Sequence, residues 1–217
     1  MTPTPRPPIL ILAFEPFGGA AVNASLEVAR HLVSDDPGLR LVVLPVVRGE
    51  AERVALDTLR AAMNDVGARP EAIFALGESR GAGDVRLEKV AVNWDDFRIP
   101  DNAGNQPRDA PIRENGPAAY FATVPVAVIA ARLAGKTPVP VVVSLSAGSF
   151  VCNHLAYAVL DALATNVLNL SGLPPAFAFV HVPAARLEND AAASPTPRLD
   201  DIAATVRAVI EATWPGD

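Results

Sequence analysis

Residues 139–154 read VPVVVSLSAGSFVCNH and join an apolar run to a helical pattern through a short turn. The run Val139 to Leu145 is mostly apolar, as a strand buried in a parallel sheet would be. The turn Ser146 to Ser149 follows, and from Phe150 to Val167 apolar residues recur three and four apart, which predicts a helix. The stretch therefore predicts a strand–turn–helix unit, with Cys152 in the first turn of the helix.

The same alternation of short apolar runs and helical patterns continues on both sides of this unit. It predicts βαβ units, and hence a single-domain three-layer α/β/α sandwich built on a mostly parallel, twisted sheet. The predicted strands are Ile9–Phe14, Leu39–Val47, Ala72–Leu76, Val139–Leu145 and Ala176–Val182. The predicted helices are Ser25–Val33, Glu50–Val66, Val124–Leu133, Phe150–Val167 and Leu199–Trp214.

The stretch from Gly77 to Pro111 interrupts this alternation. It contains a strand-like segment, Val85 to Val92, and then a polar run punctuated by prolines from Ile99 to Pro107. Long excursions in compact domains usually form binding sites, so we expect an inserted hairpin and a site-forming loop. We expect residues 9–217 to form one domain, because no second hydrophobic core is evident, and residues 1–8 to form a flexible proline-rich tail.

Composition and charge argue against several classes of protein. The 217 residues carry 18 basic and 24 acidic side chains without a basic run, so no nucleic-acid partner is expected. No apolar run reaches the roughly 18 residues of a membrane span, and the amino end lacks the apolar segment of a secretory signal. We therefore expect no membrane partner and a cytoplasmic location. The single cysteine fits a reducing compartment, because it has no disulfide partner within the chain.

Cys152 is the candidate nucleophile. Backbone N–H groups at a helix start lower the pKa of a thiol and favour the thiolate, although a lone cysteine on an apolar helix can also be a small core residue. His181 ends a predicted strand and would lie at the carboxyl edge of the sheet, where open α/β sheets bind ligands. His154 is turned about 200° around the helix from Cys152 and points elsewhere. His31 lies on a polar helix.

Two further patterns compete with this interpretation. Residues Gly77 to Gly81 have the G-x-S-x-G spacing of a serine nucleophile elbow, but no helical pattern follows Ser79. A zinc site from Cys152, His154 and His181 has suitable ligand types, but the spacing of the first two turns them apart on a helix. The chain has neither a phosphate-binding loop nor a dinucleotide fingerprint. We therefore expect no cofactor and no metal.

Seven segments together resemble one family, the class I pyroglutamyl peptidases, which are cysteine peptidases that remove amino-terminal pyroglutamate. They follow the order of the family from about residue 10 to residue 185. The similar segments are FEPFGG at 14–19 with Asn23 beyond it, EKVAVN at 88–93, RIPDN at 98–102, GNQP at 104–107, GPAAYF at 116–121, SAGSFVCNH at 146–154 and VHVP at 180–183.

This resemblance implies roles for particular residues. It makes Cys152 the nucleophile, His181 the general base and then the general acid, and Glu88 the third catalytic residue. It places Arg98 where the family is thought to stabilise the oxyanion. The residues that it implies for an apolar pocket around the flat lactam ring are Phe14, Phe17, Asn23 and Phe150.

The implied protein is a cysteine exopeptidase whose partners are peptides with amino-terminal pyroglutamate. The family resemblance also suggests a homo-oligomer, a tetramer in many members. The sequence departs from the family pattern at Ala13, at Glu78 and at Ala184 to Leu187. These departures keep two alternatives open: a thiol amidase of the same fold with another acyl or lactam-like substrate, and a non-catalytic protein that binds pyroglutamyl peptides.

Overall fold

The structure is a computed structural model that describes residues 8–65, 69–168, 172–186 and 196–213. The predicted tail therefore lies outside the described residues except for Pro8. Eight strands and five helices are found in the described part of the chain. The strands are β1 Ile9–Phe14, β2 Leu39–Leu44, β3 Ala72–Ser79, β4 Val85–Glu88, β5 Val90–Val92, β6 Ala119–Phe121, β7 Val141–Ser144 and β8 Ala176–Pro183. The helices are α1 Ala24–Asp35, α2 Glu50–Asn64, α3 Val126–Leu133, α4 Val151–Thr165 and α5 Leu199–Glu211.

Six of these strands form one twisted sheet in the order β2-β1-β3-β8-β4-β7. Neighbouring strands run parallel except for β4 and β8, which are antiparallel. The predicted α/β fold with a mostly parallel sheet is therefore confirmed. The last strand in the chain, β8, lies in the middle of the sheet rather than at an edge.

Helices cover both faces of the sheet, as the alternating pattern predicts. The side chains of β1 are buried on both faces, which requires an apolar layer on each side. On one face the core contains Val28 of α1, Ile129 of α3 and Val206 of α5. On the other face it contains Leu59 of α2 and Leu155 of α4. None of the described helices has the length and apolar character needed to cross a membrane.

The excursion after β3 differs from the prediction in one respect. The segment Val85 to Val92, expected as one strand, divides at Lys89. Its first part, β4, joins the main sheet, while β5 pairs with β6 in a separate two-stranded antiparallel sheet. The inserted hairpin is therefore β5–β6. Its connecting loop is longer than the pattern suggested, because β6 begins only at Ala119. The strand β6 was not predicted, because three residues are too few to show a period of two.

The predicted boundaries of the helices shift by a few residues. Phe150, in an extended conformation, is the N-cap residue of α4, and Pro125 is the N-cap residue of α3. A cap residue lies outside the helix proper, so both helices begin one or two residues later than their apolar pattern. The predicted helix ends at Val66 and Trp214 lie outside the described residues.

Candidate active site

The start of α4 carries Cys152 and is fastened by its neighbour, Asn153. The Asn153 side chain accepts a hydrogen bond from the Val92 N–H at 2.9 Å and donates to the Val92 and Trp94 carbonyls at 2.9 and 3.0 Å. The Asn153 side of these bonds is fully buried. The first turn of α4 is therefore fixed against the segment that follows β5, and the Cys152 thiol is fixed with it.

Two neighbouring strands bring His181 and Glu88 together. In the antiparallel register of β4 and β8, Arg86 faces His181 and Glu88 faces Phe179, which makes Glu88 and His181 diagonal neighbours on one face. Glu88 Oε1 lies 2.8 Å from His181 Nδ1, and both residues are buried, at 4% and 8% exposure. The carboxylate therefore accepts from Nδ1 and leaves the other ring nitrogen free to face the sulfur.

The Cys152 thiol lies next to His181 and completes this row of side chains, because Gly77, the register partner of His181, leaves room for its Sγ. Burial lowers the pKa of His181, but the hydrogen bonds to Cys152 and Glu88 outweigh burial and raise this pKa to about 9. The imidazole is therefore protonated at neutral pH.

Gly77 leaves the space that the sulfur occupies. It lies on β3, where its register partner on β8 is His181. A Cβ atom at position 77 would lie 2.9 Å from the Phe179 ring and 3.0 Å from Cys152 Sγ, closer than such contacts normally come. The site therefore depends on a residue without a side chain at this position of β3. In the sequence, Gly77 is noted only as part of the G-x-S-x-G spacing. A glycine inside a strand is itself a sign that another group comes close to the backbone.

A narrow pocket opens beside the Cys152 thiol, with a cavity volume of about 20 Å³. Aromatic rings form much of its wall: the centroids of Phe17 and Phe150 are 6.1 Å apart, and Phe97 packs on the outer side of Phe150 at 4.6 Å. All four pocket residues implied by the family resemblance line it. The full lining is Phe14, Phe17, Asn23, Val46, Glu78, Phe150, Val151 and Cys152; Val46, Glu78 and Val151 were not predicted.

Asn23 contributes to the pocket through the position of α1. Its side-chain oxygen accepts a hydrogen bond from the Ser25 N–H at 3.0 Å, and its amide nitrogen donates to the Glu15 carbonyl at 2.9 Å. It is therefore the N-cap of α1 and is 1% exposed. Asn23 holds the amino end of α1 against the pocket.

Glu78 places a paired carboxylate in this otherwise apolar pocket. One of its oxygens accepts a hydrogen bond from the Ala24 N–H at 2.6 Å, and the other accepts from Arg80 Nε at 2.7 Å. The Arg80 guanidinium also lies 5.1 Å from the centre of the Phe17 ring. The negative charge of Glu78 is therefore compensated by a helix start and by a guanidinium.

Arg98 lies apart from these groups. It is exposed on the loop after Phe97 and is not among the residues that line the pocket. Its backbone carbonyl accepts a hydrogen bond from Gln106 Nε2 at 3.1 Å. Its implied contact with the oxyanion stays a prediction.

The competing serine and zinc sites lack the geometry that they need. Ser79 ends β3, and a turn and another strand follow it instead of the helix of a nucleophile elbow. His154 points away from the sulfur, because Asp95 Oδ2 lies 2.9 Å from its Nδ1 and Glu52 Oε2 lies 3.3 Å from its Nε2. A zinc ion at Cys152 and His181 would therefore lack the third predicted ligand.

A thiol, an imidazole and a carboxylate lie in a row near the carboxyl end of a central strand of an α/β sheet and beside an apolar pocket. This arrangement defines a cysteine-type hydrolase. The sequence profile of the family described as pyroglutamyl peptidase matches residues 8–214. The chain belongs to the pyroglutamyl peptidase family. The family predicted from the sequence is thus confirmed.

Relatives and solved structures agree with this assignment. The pyrrolidone-carboxylate peptidase of Streptomyces coelicolor is 43% identical over 180 residues, which cover 81% of this chain and 77% of that protein. The enzyme of that name from Chromobacterium violaceum is 41% identical over 209 residues, covering 94% and 90%. The crystal structure of pyroglutamyl peptidase I from Bacillus amyloliquefaciens superposes with a TM-score of 0.79 at 29% identity, covering 95% of this chain and 94% of that one. A pyrrolidone carboxyl peptidase from Pyrococcus furiosus superposes with a TM-score of 0.77 at 30% identity, covering 94% and 97%.

Proposed function

We propose that this protein is a cysteine exopeptidase that hydrolyses the amide bond after an amino-terminal pyroglutamyl residue. Cys152 is the nucleophile, His181 transfers the protons, and Glu88 orients the imidazole. The observation that carries this proposal is the row of side chains formed by the buried Glu88 and His181 and the half-buried Cys152, which lines an apolar pocket.

The first half of the reaction forms an acyl-enzyme. The Cys152 thiolate attacks the pyroglutamyl carbonyl carbon, and the carbonyl π electrons move to the oxygen to give a tetrahedral oxyanion. The oxyanion then collapses, the C–N bond breaks, and the His181 imidazolium gives its proton to the departing amine. The products are the shortened peptide and a thioester between pyroglutamate and Cys152.

The second half of the reaction releases the pyroglutamate. The now neutral His181 takes a proton from water, which attacks the thioester carbonyl, and the C–S bond then breaks to restore the thiolate. Glu88 accepts a hydrogen bond from Nδ1 throughout, so the other ring nitrogen keeps facing the sulfur and the water.

The oxyanion needs hydrogen-bond donors that are in place before the reaction. The first turn of α4 supplies backbone N–H groups that have no partner within the helix, and Cys152 itself lies in that turn. The guanidinium of Arg98, on the loop after Phe97, is the second proposed donor, as the family resemblance implies. Removing one such donor typically costs about 100- to 1000-fold in kcat.

The pocket favours a lactam over ordinary amino termini. A pyroglutamyl ring is flat and uncharged, so it enters an aromatic pocket without burying an unpaired ion. A free α-amino group would bring an uncompensated charge into the same space, because the Glu78 carboxylate is already paired with Arg80. Selectivity for pyroglutamate therefore comes from the charge and the shape of the ring.

A substrate panel tests the proposal. We expect the wild-type protein to cleave a pyroglutamyl anilide and to leave the prolyl and acetyl-aminoacyl anilides largely intact. We expect Cys152→Ala to abolish turnover and Ser79→Ala, the matched hydroxyl deletion, to retain it. Turnover by Cys152→Ala would overturn the thiol mechanism, and equal cleavage of all three anilides would favour an amidase of another specificity.

We also propose a reducing location, the cytoplasm, because the mechanism needs a free thiol at Cys152. The homotetramer expected from the family resemblance is proposed for the same protein. Light scattering of the purified chain measures it, and a monomer at micromolar concentration would contradict it.

A further inference from the structure

A second buried imidazole, His154, lies on the helix that carries the nucleophile and takes no part in the proposed reaction. It is 2% exposed. Its Nδ1 lies 2.9 Å from Asp95 Oδ2, and its Nε2 lies 3.3 Å from Glu52 Oε2. A ring whose two nitrogens both face carboxylates can donate to both only when both nitrogens carry a proton. Two ionised carboxylates at these positions therefore favour the imidazolium.

The charges around His154 agree with a protonated ring. Arg48 Nε contacts Asp95 Oδ2 at 2.7 Å, and Arg113 bonds to Glu52. Arg113 Nε also lies 3.5 Å from the Asp161 carboxylate, which accepts a hydrogen bond from a tyrosine hydroxyl. The three carboxylates of Asp95, Glu52 and Asp161 thus face the two guanidiniums of Arg48 and Arg113. One further positive charge makes the cluster neutral. Burial lowers the pKa of His154, but the bonds with Asp95 and Glu52 outweigh burial and raise this pKa above its ordinary value.

The cluster fastens one segment of the chain, residues 92–98, which we call the strap. The Asp95 carboxylate bonds to His154, and the Asp95 backbone pairs in both directions with Ala110. Two residues further along the strap, Phe97 is fully buried against Phe150 with their ring centres 4.6 Å apart. Because Phe150 lines the pocket, a shift of the strap moves a wall of the pocket.

Such a cluster is a poor way to stabilise a fold. Taking several charges out of water costs about as much free energy as their mutual attraction returns, and apolar residues of equal volume often stabilise a core better. Asp95 Oδ1 illustrates the cost, because it is buried and has no hydrogen-bond partner among the described residues. A charged cluster of this kind next to a reaction centre points to a role in shaping that centre.

We propose that protonated His154 is a positioning residue for substrate binding: it holds the strap so that Phe97 supports Phe150 in the wall of the pocket. The inference rests on the proposed function, because it concerns how the same pocket binds its substrate. Loss of the ring proton leaves a lone pair of Nε2 facing Glu52. The two then repel, the strap loosens between Asp95 and Arg98, and the KM rises. Asn153 still holds the start of the strap at Val92 and Trp94, so the Cys152–His181 pair stays in place and the kcat changes little.

The experiment measures KM and kcat separately on the pyroglutamyl anilide. We expect His154→Gln to raise the KM about tenfold and to change kcat by less than about threefold at neutral pH. Glu50→Gln is the matched control, because it removes a carboxylate from the same helix as Glu52 but at an exposed pair with Arg53. It should leave both constants unchanged.

A second substitution gives a rescue that a merely structural role would not produce. In the double variant His154→Gln, Glu52→Gln, two carboxylates face two guanidiniums, so the charges balance again. We expect this variant to recover most of the KM, to within about threefold of the wild-type value. A double variant whose KM is as high as that of His154→Gln, or higher, overturns the proposal.

The pH profile of the single variant Glu52→Gln provides a test that does not need His154→Gln to fold. A glutamine can donate to Nε2, so a neutral ring then satisfies both its partners. We expect the wild-type KM to rise as the pH increases above neutral and the KM of Glu52→Gln to change less over the same range, because the folded-state pKa of His154 is raised. Parallel KM profiles for the two proteins overturn the proposal.

A wild-type protein that does not cleave the anilide refutes the proposed function, whereas active proteins with unchanged KM values refute this inference alone.

Discussion

The space at position 77 decides whether the sulfur can sit next to the imidazole. We expect Gly77→Ala to lower kcat/KM by about 100-fold or more, because the new methyl group would displace Cys152 Sγ or the Phe179 ring, and to destabilise the fold by about 1–3 kcal/mol. Kinetics on the pyroglutamyl anilide and urea unfolding measure the two effects. Gly83→Ala is the control, since a Cβ there meets nothing within 4 Å. Wild-type activity in Gly77→Ala would show that the sulfur does not depend on this gap.

The pKa of His181 sets the alkaline limit of the reaction. The leaving amine needs the imidazolium proton, so kcat/KM should fall as the pH rises through about 9. Glu88→Gln removes one of the contacts that raise this pKa, so the alkaline limb should move to lower pH and the activity should drop by about 100-fold or more. The pH dependence of kcat/KM for both proteins provides the measurement. An unmoved alkaline limb would argue that Glu88 does not act on His181.

A residue of the site could be predicted from the sequence only where its role follows from its local position in the chain. Position on a helix start and on a strand end indicated Cys152 and His181, because these features are local. Glu88 came only from the family resemblance, since its contact with His181 spans 93 residues of sequence. Gly77 carried a weak sign, as a glycine inside a strand, but the sequence does not say which atom comes close to it. Asp95 had no such signal, because its role depends on neighbours brought together by the fold.

At the scale of elements, Asn153 joins the start of α4 to the segment after β5. We expect Asn153→Ala to destabilise the fold by about 1–3 kcal/mol, because it removes three hydrogen bonds and leaves the Val92 N–H and the Trp94 carbonyl without this partner. Thermal or urea unfolding measures this loss. The control is Asn64→Ala at the exposed end of α2, which should change stability by less than about 0.5 kcal/mol. Equal stabilities of the two variants would contradict the role of Asn153.

The helices and the parallel strands could be predicted as elements, but the inserted hairpin could be predicted only in outline. Val90 to Val92 continues the apolar pattern of β4, and the pattern carries no sign that the chain leaves the main sheet at Lys89. The partner of β5 lies beyond a long loop, so its register depends on contacts such as those of Asn93 with Arg113 and Ile112. Tertiary contacts decide these boundaries.

At the scale of the whole molecule, two buried imidazoles link stability to pH. Both have a folded-state pKa above the unfolded value of 6.5. Their contribution is fully present below pH 6.5 and is lost as the pH rises through the folded value, about 9 for His181. We expect the free energy of unfolding to fall by about 3 kcal/mol over this interval on account of His181.

Urea unfolding at several pH values measures this slope, with Glu88→Gln as the comparison. The variant has a lower folded pKa for His181, so its stability should depend less on pH between about 6.5 and about 9.5. A wild-type protein that becomes more stable over this interval would contradict the assigned protonation of the two rings.

The fold class followed from the alternation of strands and helices, but the order of the strands did not. Strand patterns indicate burial, and β1, β3 and β8 are all buried on both faces. Nothing in these apolar runs distinguishes the third strand of a sheet from the fourth, and nothing marks β4 as antiparallel to β8. Strand order depends on which helices pack across which pairs, and that is a property of the complete chain.

The central position of β8 has a consequence for synthesis of the protein. The ribosome makes this strand last, yet it carries His181 and separates β3 from β4, so the two halves of the sheet cannot close before it inserts. A chain that ends before β8 lacks His181, so we expect it to have no activity on the pyroglutamyl anilide.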